Sequence, residues 1–300
     1  MTSMLDHEPT HAVGQPMVAD AEPRAMRHES QIVLAHGGGG QLTDELIRGL
    51  ILPRLGNACL DELLDAATLE PLGDGRPALT IDSYVVQPWQ FPGGDIGRLA
   101  VCGTVNDLAV AGAQPLALAL SLVLTEGFAR AALERVLDSI ATAAREAQVQ
   151  VVTGDTKVIG HTQGEGLYIT TAGLGRTPPG RRLAPRCIQP GDAILLSGTI
   201  ADHGLAVMLA RAMPQVTSVL RSDTAPLAGL IGELLAALPG EVAFLRDPTR
   251  GGLSGVAADL AAQSGWHVTL WEESIPVDPS TQHAADMLGI DPLDVANEGK

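Results

Sequence analysis

Aromatic residues are scarce in this chain: Phe, Tyr and Trp make up 3% of 300 residues. Hydrophobic residues still reach 45%, so the core has to be assembled from Ala, Leu, Val and Ile. Basic residues are few as well. Nineteen Lys and Arg face 35 Asp and Glu, a net charge of -16. A field of that sign repels nucleic acid and anionic lipid, so neither is an expected partner. A small anionic ligand needs local compensation from metal ions, backbone N–H groups or isolated basic side chains. Cysteine is limited to Cys59, Cys102 and Cys187, with no metal-site spacing and no even-numbered disulfide framework, which fits a reducing cytoplasm. Membrane-spanning runs are absent; LALALSLVL at 116–124 is too short and reads as a buried strand. Residues 1–30 lack both periodicity and a signal-peptide core and read as a disordered extension.

Order is expected from Gln31. QIVLA reads as a short strand, HGGGG as a loop and QLTDELIRGLILPRL as a helix. A strand over 78–86, a helix over 95–111, the strand 116–124 and an amphipathic helix over 129–147 follow. VQVVTGDTKV reads as strand into loop, and EGLYITTAGLG as a strand. The Pro-, Gly- and Arg-rich segment 175–191 is the best linker, separating a domain over 31–180 from one over 181–300. In the second, DAILLSG and WHVTLWE read as strands among three helices. Interleaved strands and helices predict an α/β or α+β architecture of two domains.

The stretch from Thr80 to Pro115 carries the most information. It sets Asp82, Asp95, Asn106 and Asp107 among Gly, Ala and β-branched residues. Carboxylates beside an apolar core are costly unless neutralised, and Mg²⁺ bridging to a nucleotide's phosphates is a common reason to gather them. Asp95 opens the predicted helix, where a carboxylate equally serves as a cap. Asn106 and Asp107 interrupt an apolar helix of small residues, poor helix design without a purpose. Asp82 ends a strand, a recurrent ligand position in α/β folds.

Three further loops have a chemical and a bland reading each. His36-Gly37-Gly38-Gly39-Gly40 is either a flexible connector or a lid whose backbone approaches phosphate. Gly154, Asp155, Thr156 and Lys157 form either a surface ion pair or a phosphate-holding cluster. In DPTRGG (247–252), Asp247 suits a metal and Arg250 an anion, against a plain Asp-Pro turn. Four such loops in one chain make coincidence the weaker account.

Together TIDSYVV, FPGGDIGRLAVCGTVNDLAVAGAQP, GDTKV, DPTRGG and VANEGK resemble the ATP-using family that includes aminoimidazole ribonucleotide synthetase, thiamine-monophosphate kinase and selenophosphate synthetase. They are most similar to its hydrogenase-maturation branch of carbamoyl dehydratases, HypE. The resemblance covers about residues 31–300. It implies a homodimer whose N-terminal domains build a shared β-barrel-like core with helices outside, and a C-terminal α/β sandwich. It implies Mg²⁺ on Asp82, Asp107 and Asp247, supported by Asn106. Asp95, Gly154, Asp155, Thr156 and Arg250 would contact ATP, some from the partner subunit, under a closing loop at Gly37–Gly40. Lys157 and Glu272 or Glu273 are candidates for proton handling, their bland roles being an ion pair and a solvated strand end. The implied chemistry dehydrates a carbamoyl group on the enzyme's C-terminal cysteine to a thiocyanate, with the carbamoyltransferase HypF and the HypC–HypD scaffold as partners. A family member continues past VANEGK to a Pro-Arg-Ile-Cys tail, so these 300 residues are expected to bind ATP without completing turnover in cis. Two alternatives stay open: a kinase or synthetase acting on a free small molecule, and a non-catalytic interaction module.

Overall fold

A computed structural model describes residues 30–300, except Gly39, Asp65 and Glu165. The extension expected over 1–30 (Ser30 apart) and Gly39 of the glycine loop therefore lie outside the described residues. Helix α1 is a run of three segments, Gln41–Leu46, a π-turn over Ile47–Ile51, and Leu52–Leu55. Strand β1 (Arg76–Tyr84) leads to a short hairpin, β2 (Gln90–Phe91) and β3 (Gly94–Asp95), and then to helix α2 (Ile96–Val110). Next come β4 (Gln114–Thr125), α3 (Arg130–Glu146), β5 (Gln150–Ile159) and β6 (Leu167–Thr177). These four long strands form one sheet in the order β1-β6-β4-β5. The pairing is antiparallel except between β4 and β5, which the crossover helix α3 makes parallel.

Helices α2 and α3 cover one face of the sheet. Leu133, Val136, Leu137 and Ile140 recur at helical spacing along α3 and are fully buried. Each contributes about 1.5–3 kcal/mol relative to exposure. They meet Ile96, Leu118, Leu122, Leu124 and Ile169, so the aliphatic core expected from the shortage of aromatics is realised. The opposite face of β1 is open: Leu79 is 78% and Ile81 68% exposed, on an edge strand.

The second half is helical: α4 (Asp202–Ala212), α5 (Ala228–Ala237), α6 (Gly252–Ser264) and α7 (Pro279–Leu288). Its own small core gathers Ala201, Leu205, Leu209, Leu220, Ala284, Ala285 and Val295. Helix α5 instead packs on α2 through Ala109, Leu227, Ile231 and Leu235, which joins the halves.

Mixed α/β architecture stands, but four segments differ from the sequence-based expectation. QIVLA pairs only at Gln31, in one bridge to Ala129, and Leu34–Gly37 is a 3-10 turn. The reason is local: the Val33 N–H donates to His36 Nδ1 at 2.9 Å, so a side chain competes with the ladder. GDTKV is strand rather than loop, because β4 is long enough to pair Gly154 through Lys157 with Leu120 through Val123. DAILLSG and WHVTLWE are not strands. Their apolar residues suit a pleated surface, but among the described residues nothing pairs with them, and a strand needs its ladder. Leu195 and Trp271 are accordingly exposed.

Candidate functional site

Strand β1 and helix α2 bring two of the acids together. Side chains on a strand alternate, so Thr80 and Asp82 share a face. Thr80 Oγ1 donates to Asp107 Oδ2 at 2.9 Å, tying the last turn of α2 to that face. Arg250 Nη2 reaches Asp82 Oδ1 from the other half of the chain, at a long 3.5 Å. Between these elements lies a cleft of about 870 Å³, lined among others by Asp82, Asp107, Arg246, Asp247, Arg250 and Glu298. That volume suits a nucleotide-sized ligand.

The far wall is built by two C-terminal segments. Asn297 is fully buried, and its side chain ties three strings of backbone. Its Oδ1 accepts from Ala201 N at 2.7 Å, and its Nδ2 donates to Pro248 O at 3.0 Å and Val295 O at 3.1 Å. The bond to Pro248 sets the DPTRGG turn, and thereby Asp247, beside Glu298. Gly299 has to be glycine, because a Cβ there would overlap the carbonyl oxygen of Asp223. VANEGK is thus the structural hinge of the site. The sequence reading used this motif for the resemblance alone and assigned Glu298 no role; a buried-side Asn-Glu-Gly run was the available signal.

Electrostatically the cleft is under-compensated. Burial raises Asp247 to about 6, with the neighbouring charges of Asp107 and Asp82 adding to it. Burial likewise raises Asp107 and Asp223, and pushes Glu298 well above the ordinary carboxylate range, with Asp247, Asp223, Asp82 and Asp107 contributing. His203, on the same wall, is lowered to about 4 by burial. These shifts fix a pH dependence. Acids raised in the folded state stabilise it below their unfolded pKa and lose that contribution as pH climbs through the folded value. A lowered histidine stabilises above its unfolded pKa and loses that contribution on acidification towards the folded one. Acidifying through about pH 6 therefore favours the free protein through Asp247, and His203, losing its own contribution between about 6.5 and 4, opposes it. Thermal unfolding of the ligand-free chain should show a Tm maximum on the acid side of neutrality. A Tm that rises monotonically towards pH 8 contradicts these assignments.

The remaining expected residues fall in two places. Asp95 caps α2, its Oδ1 accepting from Arg98 N at 2.9 Å, and does not line the cleft. Asn106 is buried, with Nδ2 donating to Ala225 O at 3.0 Å and Glu298 O at 3.3 Å and Oδ1 accepting from Leu227 N at 2.7 Å. Its amide holds the backbone behind the acids. Gly154, Asp155, Thr156 and Lys157 lie on β5, the sheet edge opposite β1. Lys157 Nζ pairs with Asp155 Oδ1 at 3.3 Å, both largely exposed. The glycine loop packs here too: a Cβ on Gly37 would overlap the backbone nitrogen of Val158. Gly38 and Gly40 flank this turn. The structure thus joins the glycine loop to GDTKV at one edge and Asp82, Asp107, Asp247 and Arg250 at the other. Glu272 and Glu273 open an exposed 3-10 turn, Glu272–Ser274, and neither lines the cleft. Of the two readings given to them, proton handling and a solvated strand end, the exposed turn is solvated, and it follows no strand.

The donor set fits a hard cation, since carboxylate oxygens are what Mg²⁺ prefers. Among the described residues no three His, Cys, Asp or Glu side chains are gathered to hold a metal alone. Mg²⁺ bound through one or two carboxylates plus phosphate oxygens needs no such cage.

Residues 64–177 match the family AIR synthase related protein, N-terminal domain, and residues 189–300 match its C-terminal domain. Carbamoyl dehydratase HypE of Azotobacter vinelandii is 49% identical over 269 residues, covering 90% of this chain and 78% of that protein. A crystal structure of the hydrogenase maturation protein HypE in complex with ATP superposes with a TM-score of 0.85 at 41% identity, covering 89% of this chain and 79% of that one. A crystal structure of a HypE–HypF complex gives a TM-score of 0.72 at 42% identity, covering 87% of this chain and 82% of that one. Mixed sheet order, an acid-lined cleft between two halves and these likenesses agree, and the chain belongs to the AIR synthase-related family, in its HypE carbamoyl dehydratase branch.

Proposed function

We propose that the cleft binds Mg–ATP and that the chain dehydrates a carbamoyl group carried on cysteine, a thiocarboxamide, to a thiocyanate. The observation that carries this reading is the set of mutually repelling acids, the buried Asp247 and the half-buried Asp82, Asp107 and Glu298, around a nucleotide-sized cleft. Bound Mg²⁺ supplies neutralisation of the phosphate charge, and Asp82, Asp107 and Asp247 would hold it. Arg250 and Arg246 offer positive charge to the phosphates. The carboxamide oxygen attacks the γ-phosphorus, and ADP leaves. Nitrogen gives up one proton to solvent as the O-phosphorylated imidate forms, and the second is removed as the phosphorylated oxygen departs as phosphate and the C≡N bond forms. Glu298 takes the last proton from nitrogen: it lines the cleft, and burial beside Asp247, Asp223, Asp82 and Asp107 makes its carboxylate more basic than an ordinary one. Cys102 is excluded as carrier, since burial raises its thiol to about 12 and seals it inside α2. Thiocyanate so formed would supply the cyanide ligand of nickel–iron hydrogenase. HypF, which a relative binds, would deliver the carbamoyl group, and the HypC–HypD complex would accept the cyanide.

The reading includes a boundary between domains near residue 180 and a homodimer. Asp82 and Gly154 sit in one row on opposite edges of the four-stranded sheet, roughly three strand spacings or ~14 Å apart. A second copy that sets its β5 against β1 brings the glycine loop and GDTKV over the acid cleft and covers Leu79 and Ile81. Ile81→Lys is therefore expected to halve the sedimenting mass and remove ATP turnover; an unchanged mass speaks against this interface. The activity itself is tested by supplying an S-carbamoylated peptide ending in Pro-Arg-Ile-Cys with Mg–ATP. Loss of one water from the peptide, seen by mass, is the expected result. ADP release with unaltered peptide overturns the assignment.

A further inference from the structure

Glu298 has no secondary structure to hold it; its main chain is fixed from two sides. On one side Glu298 N donates to Asp223 Oδ1 at 3.1 Å, and Ala225 N and Asn106 Nδ2 donate to Glu298 O at 3.4 Å and 3.3 Å. On the other, Gly204 N donates to Ala296 O at 3.0 Å. The first clamp depends on a short turn, Ser222-Asp223-Thr224, and the second on the start of α4. One side chain connects the two. His203, the neighbour of Gly204, is buried, and its Nδ1 shares hydrogen bonds with Ser222 Oγ at 2.8 Å and Thr224 Oγ1 at 3.3 Å. The two hydroxyls are bonded to each other at 2.6 Å. The imidazole also stands edge-on to Phe91 with ring centres 5.3 Å apart, and Ser222 N donates to Pro92 O at 2.8 Å. The same turn gives Thr224 O to Arg98 Nε at 3.0 Å. Hairpin β2–β3, helix α2, helix α4 and the acidic wall are thus registered through one ring.

We propose that His203 is a positioning residue for the reaction: through Ser222 and Thr224 it locks the turn that presents Asp223 to Glu298, and so sets where the Glu298 carboxylate stands in the cleft. The proposal rests on Glu298 as proton acceptor. It predicts a signature that loss of packing alone does not give. A small displacement of a reacting group lowers the chemical step by an order of magnitude or more while leaving substrate binding in place. Burial keeps the imidazole neutral, so the lock is made of hydrogen bonds to two hydroxyls rather than of an ion pair.

Three variants of the whole chain test it. His203→Leu is expected to lower kcat about tenfold or more, with KM for ATP within about twofold. His203→Asn, whose amide takes the place of Nδ1, recovers most of that loss. His203→Gln, whose amide takes the place of Nε2, does not recover it, and it replaces the leucine variant should that one fail to fold. Hydrogen exchange gives a readout independent of catalysis. The amides of 222–227 and 297–299 should exchange faster in the leucine or glutamine variant while those of β4 and β6 stay as they were. An unchanged kcat, a rise in KM with kcat intact, or faster exchange throughout the chain overturns the proposal. Failure of the underlying reading looks different: Glu298→Gln would retain its kcat while the exchange pattern of the His203 variants still reports the lock.

Discussion

Glu298→Gln is expected to slow turnover at saturating ATP by about 10²–10⁴-fold, the usual contribution of a positioned general base. The side chains are nearly isosteric, and the backbone bonds of Glu298 to Asp223 and Asn106 do not involve the carboxylate. Folding and the clamp therefore survive the change. What disappears is the ability to accept a proton. Binding of Mg–ATP should persist, because Asp82, Asp107, Asp247 and the arginines of the cleft remain in place. A rate lowered with the affinity preserved is the signature of an interaction used only in the chemical step. Single-turnover mass analysis with the carbamoylated peptide separates this from slow product release. A variant that dehydrates at the parental rate would remove Glu298 from the mechanism.

Asp247→Asn is expected to have opposite effects on stability and on function. Holding Asp247 at about 6 rather than 3.8 corresponds to ~3 kcal/mol against the charged folded state near neutral pH. A neutral amide of similar shape removes that penalty, so the free variant should melt several degrees above the parent at pH 8; 1 kcal/mol moves Tm by roughly 2–4 °C in a protein of this size class. The gap should narrow to about half at pH 5 and close only below about pH 3.8, where Asp247 carries its proton in the unfolded parent as well. The same change takes one carboxylate from the set that would hold Mg²⁺, and affinity for Mg–ATP should drop at least about tenfold, as one lost charge-assisted contact does. Differential scanning calorimetry at two pH values with and without Mg–ATP reads both effects. A variant less stable than the parent at pH 8, or one that binds Mg–ATP as well, contradicts the role given to Asp247.

The most legible parts were those where side-chain periodicity and local chemistry decide the backbone. Helix α2 begins at Asp95 as a cap and ends beside Asp107, and α3 presents the face Leu133, Val136, Leu137 and Ile140, as the spacing predicts. What was not legible depended on partners far along the chain. DAILLSG has the pattern of a strand without a neighbour to complete it. GDTKV has the composition of a loop, yet β4 draws it into the sheet through Thr125↔Ile159. At the site, Asp82 and Asp107 could be selected because acids in apolar surroundings need a reason, and Asp247 because DPTRGG sets a carboxylate, an arginine and two glycines before a helix. Glu298 could not be ranked in this way, since its environment is made by Asp223, Asn106 and Asp247, residues between 51 and 192 positions away. Asp95 shows the reverse case: a capping role visible in the sequence is the one the fold displays.

The most direct test of the central claim is a crystal structure of the chain with Mg²⁺ and a non-hydrolysable ATP analogue. Carboxylate oxygens from Asp82, Asp107 or Asp247 should then stand about 2.0–2.1 Å from Mg²⁺, with the γ-phosphate within reach of Arg250 and Glu298 opposite it. Nucleotide seated elsewhere, with those three aspartates touching neither metal nor phosphate, would contradict it.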